Sequence, residues 1–344
     1  MTVRSRLLAR LGPDPRAARE AADRACDERL AAALLARPEP PADERAGRVT
    51  EALYARLAPE DVAEVERVVD GDARMLWASA GPDARRRMAL ICSTYYELPE
   101  AMARTGLRPD MPPEDVHAMA HNWVAAGGAP AIADVVADGL ARAGFAIADG
   151  DAVLDFGCSS GRVLRVLAAW RPEVEWLGCD PNEAAIAWAQ EHLGDLARFF
   201  AGPARPPLEL TDGSVAAAYA ISIWSHFDAE PALEWLEEMH RIVRPGGALL
   251  LSTHGLDTLA GNLRSGRMEP AAAARTAEAL LASGHRFEAV FGEQGDWGVR
   301  DPGWGAAHLT PEWLARHATP RWAVCLYEPA GLERDQDVIV LERR

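Results

Sequence analysis

The amino-acid sequence predicts an α/β fold, a largely parallel sheet covered by helices on both faces and preceded by an α-helical N-terminal region. Three observations predict it. From Asp151 onward, short apolar runs alternate with segments of helical spacing. Before Asp151 no strand stands out, and Ala, Arg and Leu, all good helix formers, dominate. Near the end of the chain two apolar runs, Arg321 to Tyr327 and Asp337 to Leu341, lie close enough around Gly331 to pair as an antiparallel hairpin.

In chain order, Met1 to Arg37 reads as helix and is broken at Pro38-Glu39-Pro40-Pro41. Helical patterns resume over Arg48 to Asp70 and Pro82 to Leu98, and again near Pro112-Pro113, where Glu114 and Asp115 suit a helix start. Pro130 to Arg142 has helical spacing and stops near Gly144. Ala152 to Phe156 is then a short apolar strand, Gly161 to Trp170 a helix, Val174 to Cys179 a second strand, and a helix follows to about Leu193. Leu196 to Phe200 and Val215 to Ile223 complete strands three and four. Pro231 to Val243 is a helix, and Pro245-Gly246-Gly247 turns the chain into Ala248 to Thr253. Right-handed crossovers place the carboxyl ends of such strands on one side, where ligands bind.

Composition narrows the function. Thirty-six basic against 52 acidic side chains leave a net charge of −16, which repels phosphate backbones and anionic lipid, so neither nucleic acid nor membrane is the expected partner. The five cysteines are scattered, without a C-x-x-C pair, which suits reduced thiols and supports neither disulfides nor zinc. The opening stretch MTVRSRLLARLGPDPR is interrupted by arginines before a signal h-region forms. Together these give a cytoplasmic expectation and no metal site.

The chemistry is concentrated in Val153-Leu154-Asp155-Phe156-Gly157-Cys158-Ser159-Ser160-Gly161-Arg162, where a strand delivers an acidic residue into a glycine turn. The spacing is D-x-G-x-x-x-G, not the G-x-G-x-x-G of dinucleotide folds. This run resembles motif I of the class I S-adenosylmethionine-dependent methyltransferases, with Ser159 where the middle glycine commonly stands. Asp180, at the end of the second strand and 25 positions after Asp155 (180 − 155), resembles the family's ribose-binding acid. A carboxylate is a bidentate acceptor matched to a vicinal diol. The Pro245-Gly246-Gly247 turn before the fifth strand resembles the family's helix-to-strand passage.

The resemblance covers about Asp151 to His254 and implies a Rossmann-like seven-stranded methyltransferase sheet with an antiparallel last strand. It implies two domains, an α-helical one over residues 1–145 on the lid or acceptor side and a class I methyltransferase domain over 146–344. It implies S-adenosylmethionine as cofactor, held by Asp155, Gly157, Cys158, Ser159, Gly161, Asp180, Pro181 and Ile221. The acid that in the family often follows strand three is missing from Phe200-Ala201-Gly202, so adenine is expected to rest on backbone and apolar contacts.

Methyl transfer needs alignment, exclusion of water and often removal of a proton from the acceptor. His226, just past strand four, and His254, at the mouth of strand five, are the candidate bases, a neutral imidazole having an ordinary pKa of about 6.5. Each is equally well read as a loop-shaping hydrogen-bonding group. Tyr95, Tyr96, Trp123, Trp224 and Trp297 are the candidate acceptor contacts, and Trp304 flanks the same Gly-rich stretch as Trp297. His117 and His121 share a helix face but lack companions for a metal. The N-terminal helices are read as a solvated bundle or a homodimer surface. The expected function is methylation of a small molecule, first on oxygen of a sugar or secondary metabolite. Nitrogen or carbon acceptors, a non-catalytic cofactor-binding module and, more remotely, an NAD(P) oxidoreductase stand as alternatives.

Overall fold

The first strand, β1 (Ala152–Phe156), is apolar except for Asp155 and buried from Val153 onward, which suits the centre of a parallel sheet covered on both faces. The computed structural model describes residues 15–40, 47–114, 116, 129–292, 295–296 and 298–344. In them β1 is followed by α8 (Leu164–Trp170), β2 (Glu175–Asp180), α9 (Glu183–Leu193), β3 (Arg198–Ala201), β4 (Val215–Ala220), α10 (Ala229–Ile242) and β5 (Val243–Thr253). Next come α11 (Leu256–Arg264), α12 (Pro270–Ser283), β6 (His285–Glu288), β7 (Ala306–Leu309), α13 (Pro311–Ala318), β8 (Trp322–Leu332) and β9 (Gln336–Arg343).

The main sheet has seven strands in the order β3-β2-β1-β4-β5-β9-β8. β1 to β5 are parallel, and β9 pairs antiparallel with both β5 and β8, so the expected closing hairpin and antiparallel last strand are present. The order reverses between β2-β1 and β1-β4, and a crevice for ligand opens there at the strand carboxyl ends. Several elements went unannounced by the sequence pattern. A two-stranded β6-β7 sheet flanks the Gly-rich stretch, and α11 and α12 intervene between β5 and that sheet.

The N-terminal region contributes α1 (Pro15–Leu35), α2 (Arg48–Tyr54), α3 (Pro59–Val68), α4 (Gly71–Ser79), α5 (Pro82–Tyr95), α6 (Pro99–Thr105) and α7 (Pro130–Arg142). The single helix expected over Arg48 to Asp70 is split, because Pro59 has no N–H to donate and pushes Ala58 into extended backbone; the Asp61 carboxylate then accepts from Ala58 N. α7 has proline in its first turn and buries Ile132, Ala133, Val136, Ala137 and Leu140 on one face. These pack in one cluster with Val153, Tyr219 and Leu250, so α7 is the cover of one sheet face. A Cβ on Gly139 would sit 2.8 Å from Leu250 Cδ1, and that closeness sets the helix against the sheet. The buried Asp134 of α7 accepts from Val49 N and Thr50 N, each at 2.9 Å, and so caps α2 from a different helix. α1 packs on α11 and α12 through Leu34, Leu259, Ala273 and Leu280, and Arg37 pairs bidentately with Asp257 at 2.7 and 2.8 Å. Among the described residues no helix is long and apolar enough to cross a membrane.

Candidate active site

The turn after β1 is fastened to the end of β2, since Gly157 N and Cys158 N both donate to Cys179 O, at 2.8 and 3.0 Å. Gly157 has φ +82°, and a Cβ there would lie 2.1 Å from Ile223 Cδ1; only glycine admits the strand-four loop this close. Ser159 takes φ +48°, the left-handed conformation that favours glycine. Its amide donates to the Asp180 carboxylate at 2.7 Å, and Asn182 N donates to the other oxygen at 2.8 Å. Asp180 is therefore fixed by two backbone donors, with lone pairs left to accept from a diol. Burial nevertheless pushes its pKa up to about 6.

These groups line a cleft of about 390 Å³ at the strand carboxyl ends. Of the expected cofactor residues, Asp155, Gly157, Cys158, Ser159, Asp180, Pro181 and Ile221 line it. Gly161 does not. It stands behind the loop, where a Cβ would meet the Phe199 ring at 2.9 Å, so its work is helix-to-strand packing. Asp155 is 3% exposed and stands opposite Tyr219 in the β1–β4 register. Burial pushes its pKa up to about 8, which disfavours the ionised form at neutral pH and makes it a poor counter-ion.

Of the two histidines, only His226 lines the cleft. Its Nδ1 donates to Gly305 O at 2.7 Å, leaving Nε2 as the acceptor, and its ring stacks on Trp304 with centroids 4.6 Å apart. Burial lowers its pKa below the ordinary imidazole value, against the Gly305 bond and the Asp296 carboxylate, which raise it. His254 is drawn elsewhere. It bridges to His308 of β7, its ring lies 5.2 Å from the His308 ring, and its Nδ1 contacts Ala307 O at 3.2 Å. The small β6-β7 sheet, absent from the sequence reading, is the reason.

Three of the five expected acceptor contacts, Trp224, Tyr95 and Tyr96, stand away from the cleft lining. Trp224 is fully buried and packs against Phe156 and Phe227 beneath the cleft. Tyr96 closes the end of α5 onto α4, its hydroxyl donating to Asp70 at 2.7 Å; Tyr95 is 42% exposed and stacks edge-on against it. Neither tyrosine lines the cleft, because the inward face of α5 is spent on Ala89, Leu90 and Cys92. Trp123 and Trp297 lie outside the described residues, as do His117 and His121. Among the described residues no group of three or more His, Cys, Asp or Glu is placed to hold a metal.

Sequence reasoning missed several lining residues. Arg162 and Asn182 directly follow the two motifs and were open to inspection. Ser222 takes φ +60° at the end of β4, where its amide donates to Ser252 Oγ at 2.7 Å and its Oγ accepts from Gln336 Nε2 at 2.8 Å. Asp296 arrives from the Gly-rich stretch between β6 and β7, Glu333 and Gln336 arrive from the closing hairpin, and no local signal marks them.

Residues 153–247 match a family model described as a methyltransferase domain. The match runs from β1 into the Pro245-Gly246-Gly247 turn of β5, whereas the helices before it and the closing hairpin lie outside. Among solved structures, the chain is similar to a SAM-dependent methyltransferase from Methanosarcina mazei, at 20% identity and TM-score 0.42 over 57% of this chain and 94% of that one. It is also similar to a SAM-dependent methyltransferase from Aquifex aeolicus, at 15% identity and TM-score 0.38 over 60% and 89%. A geranyl diphosphate methyltransferase in complex with GPP and sinefungin matches at 15% identity and TM-score 0.40 over 63% and 82%.

Proposed function

We propose that the chain binds S-adenosylmethionine in this cleft and transfers its methyl group to a small-molecule acceptor, first of all an oxygen of a sugar or other secondary metabolite. The observation that carries the reading is the cradle formed by the Gly157 turn and the Asp180 carboxylate, which meet at one end of the cleft. Its donor set fits the cofactor. Asp180 offers acceptors to both ribose hydroxyls, Pro181 and Ile221 offer apolar walls, and the volume lies within the range of about 300–1,000 Å³ usual for ligand pockets.

When bound, the cofactor supplies an electrophilic methyl on a sulfonium, which becomes a neutral thioether on transfer. The chain's own work is to hold, to dry and to deprotonate. The roof loop around Asp296 and Val299 packs on Asn182, where a Cβ on Gly298 would come within 2.9 Å of its Cα, and so covers the ribose end. Arg205 ties that roof down, with Nε and Nη2 donating to Asp301 at 2.7 and 3.0 Å. His226 Nε2 is the acceptor available for a hydroxyl proton, since Nδ1 is committed to Gly305. The helical region before residue 146 stands as the acceptor-side cover, with α7 contributing Ile132 to the cleft.

Calorimetry with S-adenosylhomocysteine and with NAD tests the reading. Binding of the first and not of the second is expected. Binding of NAD alone, or of neither, overturns it.

A further inference from the structure

The carboxy-terminal hairpin carries three non-glycine residues in left-handed backbone, Ala330 at φ +50°, Glu333 at φ +53° and Arg334 at φ +61°. A tight turn of that hand ordinarily uses Asn or Gly at such positions, because a Cβ makes it costly. The surroundings over-determine it. Ala330 N donates to Asp337 at 2.9 Å, Arg334 Nε donates to Pro40 O at 2.9 Å, and Thr258 Oγ donates to Asp335 O at 2.7 Å. Strain kept in place by several independent contacts is a mark of a functional position. Its result here is that Glu333, at the tip, lines the cleft.

Arg162, the residue after the Gly161 turn, lines the same cleft. The two charges are opposite and Glu333 acts on the Arg162 guanidinium through space, yet among the described residues no salt bridge joins them. Arg162 is half-buried and has no carboxylate partner of its own there, in contrast to Arg205 and Arg241, each of which holds two or more. A guanidinium and a carboxylate that face one cleft without touching leave room for a ligand bearing the complementary pair. Asp155 serves that end poorly as a counter-ion, because burial disfavours its ionised form.

We propose that Arg162 and Glu333 form a clamp for an α-amino-acid zwitterion, Arg162 receiving the carboxylate and Glu333 the ammonium. The clamp rests on the cofactor reading, which supplies one such zwitterion, the amino-acid end of S-adenosylmethionine; an amino-acid acceptor has the same chemistry and is the other source.

Calorimetry separates them. S-Adenosylhomocysteine carries the zwitterion, whereas 5′-methylthioadenosine is the same adenosyl thioether without it. The parent is expected to bind the first at least about tenfold more tightly. Arg162→Met and Glu333→Gln are each expected to remove most of that preference while leaving methylthioadenosine affinity at the parent value, which also shows that the variants fold. If the preference is untouched, L-methionine titrated into protein saturated with S-adenosylhomocysteine reads the other source. Heat in the parent that disappears in both variants keeps the clamp and assigns it to an acceptor. Variants indistinguishable from the parent in all titrations overturn the clamp alone. A parent that binds neither adenosyl ligand overturns the cofactor reading, and the clamp with it.

Discussion

Gln336 donates Nε2–H to Ser222 Oγ at 2.8 Å, and its Oε1 accepts from Ser252 Oγ at 2.7 Å. One carboxamide from the first residue of β9 thereby ties together the ends of β4 and β5, while Ser252 Oγ also accepts from the strained Ser222 amide at 2.7 Å. Removing that hydroxyl leaves a part-buried N–H and the Gln336 carbonyl without partners, at a cost of about 1–3 kcal/mol. Ser252→Ala is accordingly expected to lower unfolding stability by that amount in urea, with Ser252→Thr milder. A substitution that is neutral in the same titration removes Ser252 from the account of Ser222's geometry.

Asp180 links cofactor affinity to pH. Burial raises its pKa above the ordinary carboxylate value to about 6, so lowering the pH protonates a group whose ionised form the proposed ribose contact needs. Between pH 7 and pH 5, affinity for S-adenosylhomocysteine is expected to fall about tenfold, with proton release on binding at the lower pH. Asp180→Asn is expected to bind weakly and to lose this dependence. A parent profile flat over that interval contradicts the role.

His226 and His254 now part company. His226→Gln is expected to lower turnover by about 10²–10⁴ with cofactor affinity retained, and His254→Gln to turn over like the parent. Because burial lowers the His226 pKa, the acid limb of the parent's rate profile is expected below pH 6.5, where the imidazole gains its proton and ceases to be a base. Equal loss in both variants, or in neither, refutes the assignment.

His308 governs acid stability. It is 9% exposed, its Nε2 has no partner among the described residues, and burial lowers its pKa to about 3. The folded chain therefore binds no proton at His308 between about pH 6.5 and 3, whereas the unfolded chain does. Stability from this residue is full above pH 6.5 and is lost as the pH falls. His308→Leu is expected to remove about 2 kcal/mol of the parent's loss between pH 7 and pH 5, measured by urea unfolding. Asp180 and Asp337, both raised to about 6, act in the opposite direction and are common to the two proteins, so the difference isolates His308.

The sequence by itself determined the strands of the main sheet and the glycine turn and Asp180 that line part of the cleft. Apolar runs such as Ala152 to Phe156 and the Pro245-Gly246-Gly247 turn are local signals, written into consecutive residues by burial and backbone sterics. Asp155, Gly157, Ser159 and Asp180 were legible for the same reason, since strand ends in a parallel sheet converge whatever the loops do.

Only the tertiary structure decided the rest. Whether a tryptophan meets solvent, ligand or core depends on what packs against it, so Trp224 lies in the core and Trp304 against His226 although both adjoin plausible loops. Pairing with β7 turned His254 aside, a contact between residues 254 and 308 that no window of sequence contains. Glu333 and Gln336 reach the cleft only because β9 inserts antiparallel between β5 and β8, which brings the last hairpin to the mouth opened by the first strand. Local residue types fix the strands and turns, whereas long-range pairing fixes which side chains share a cavity.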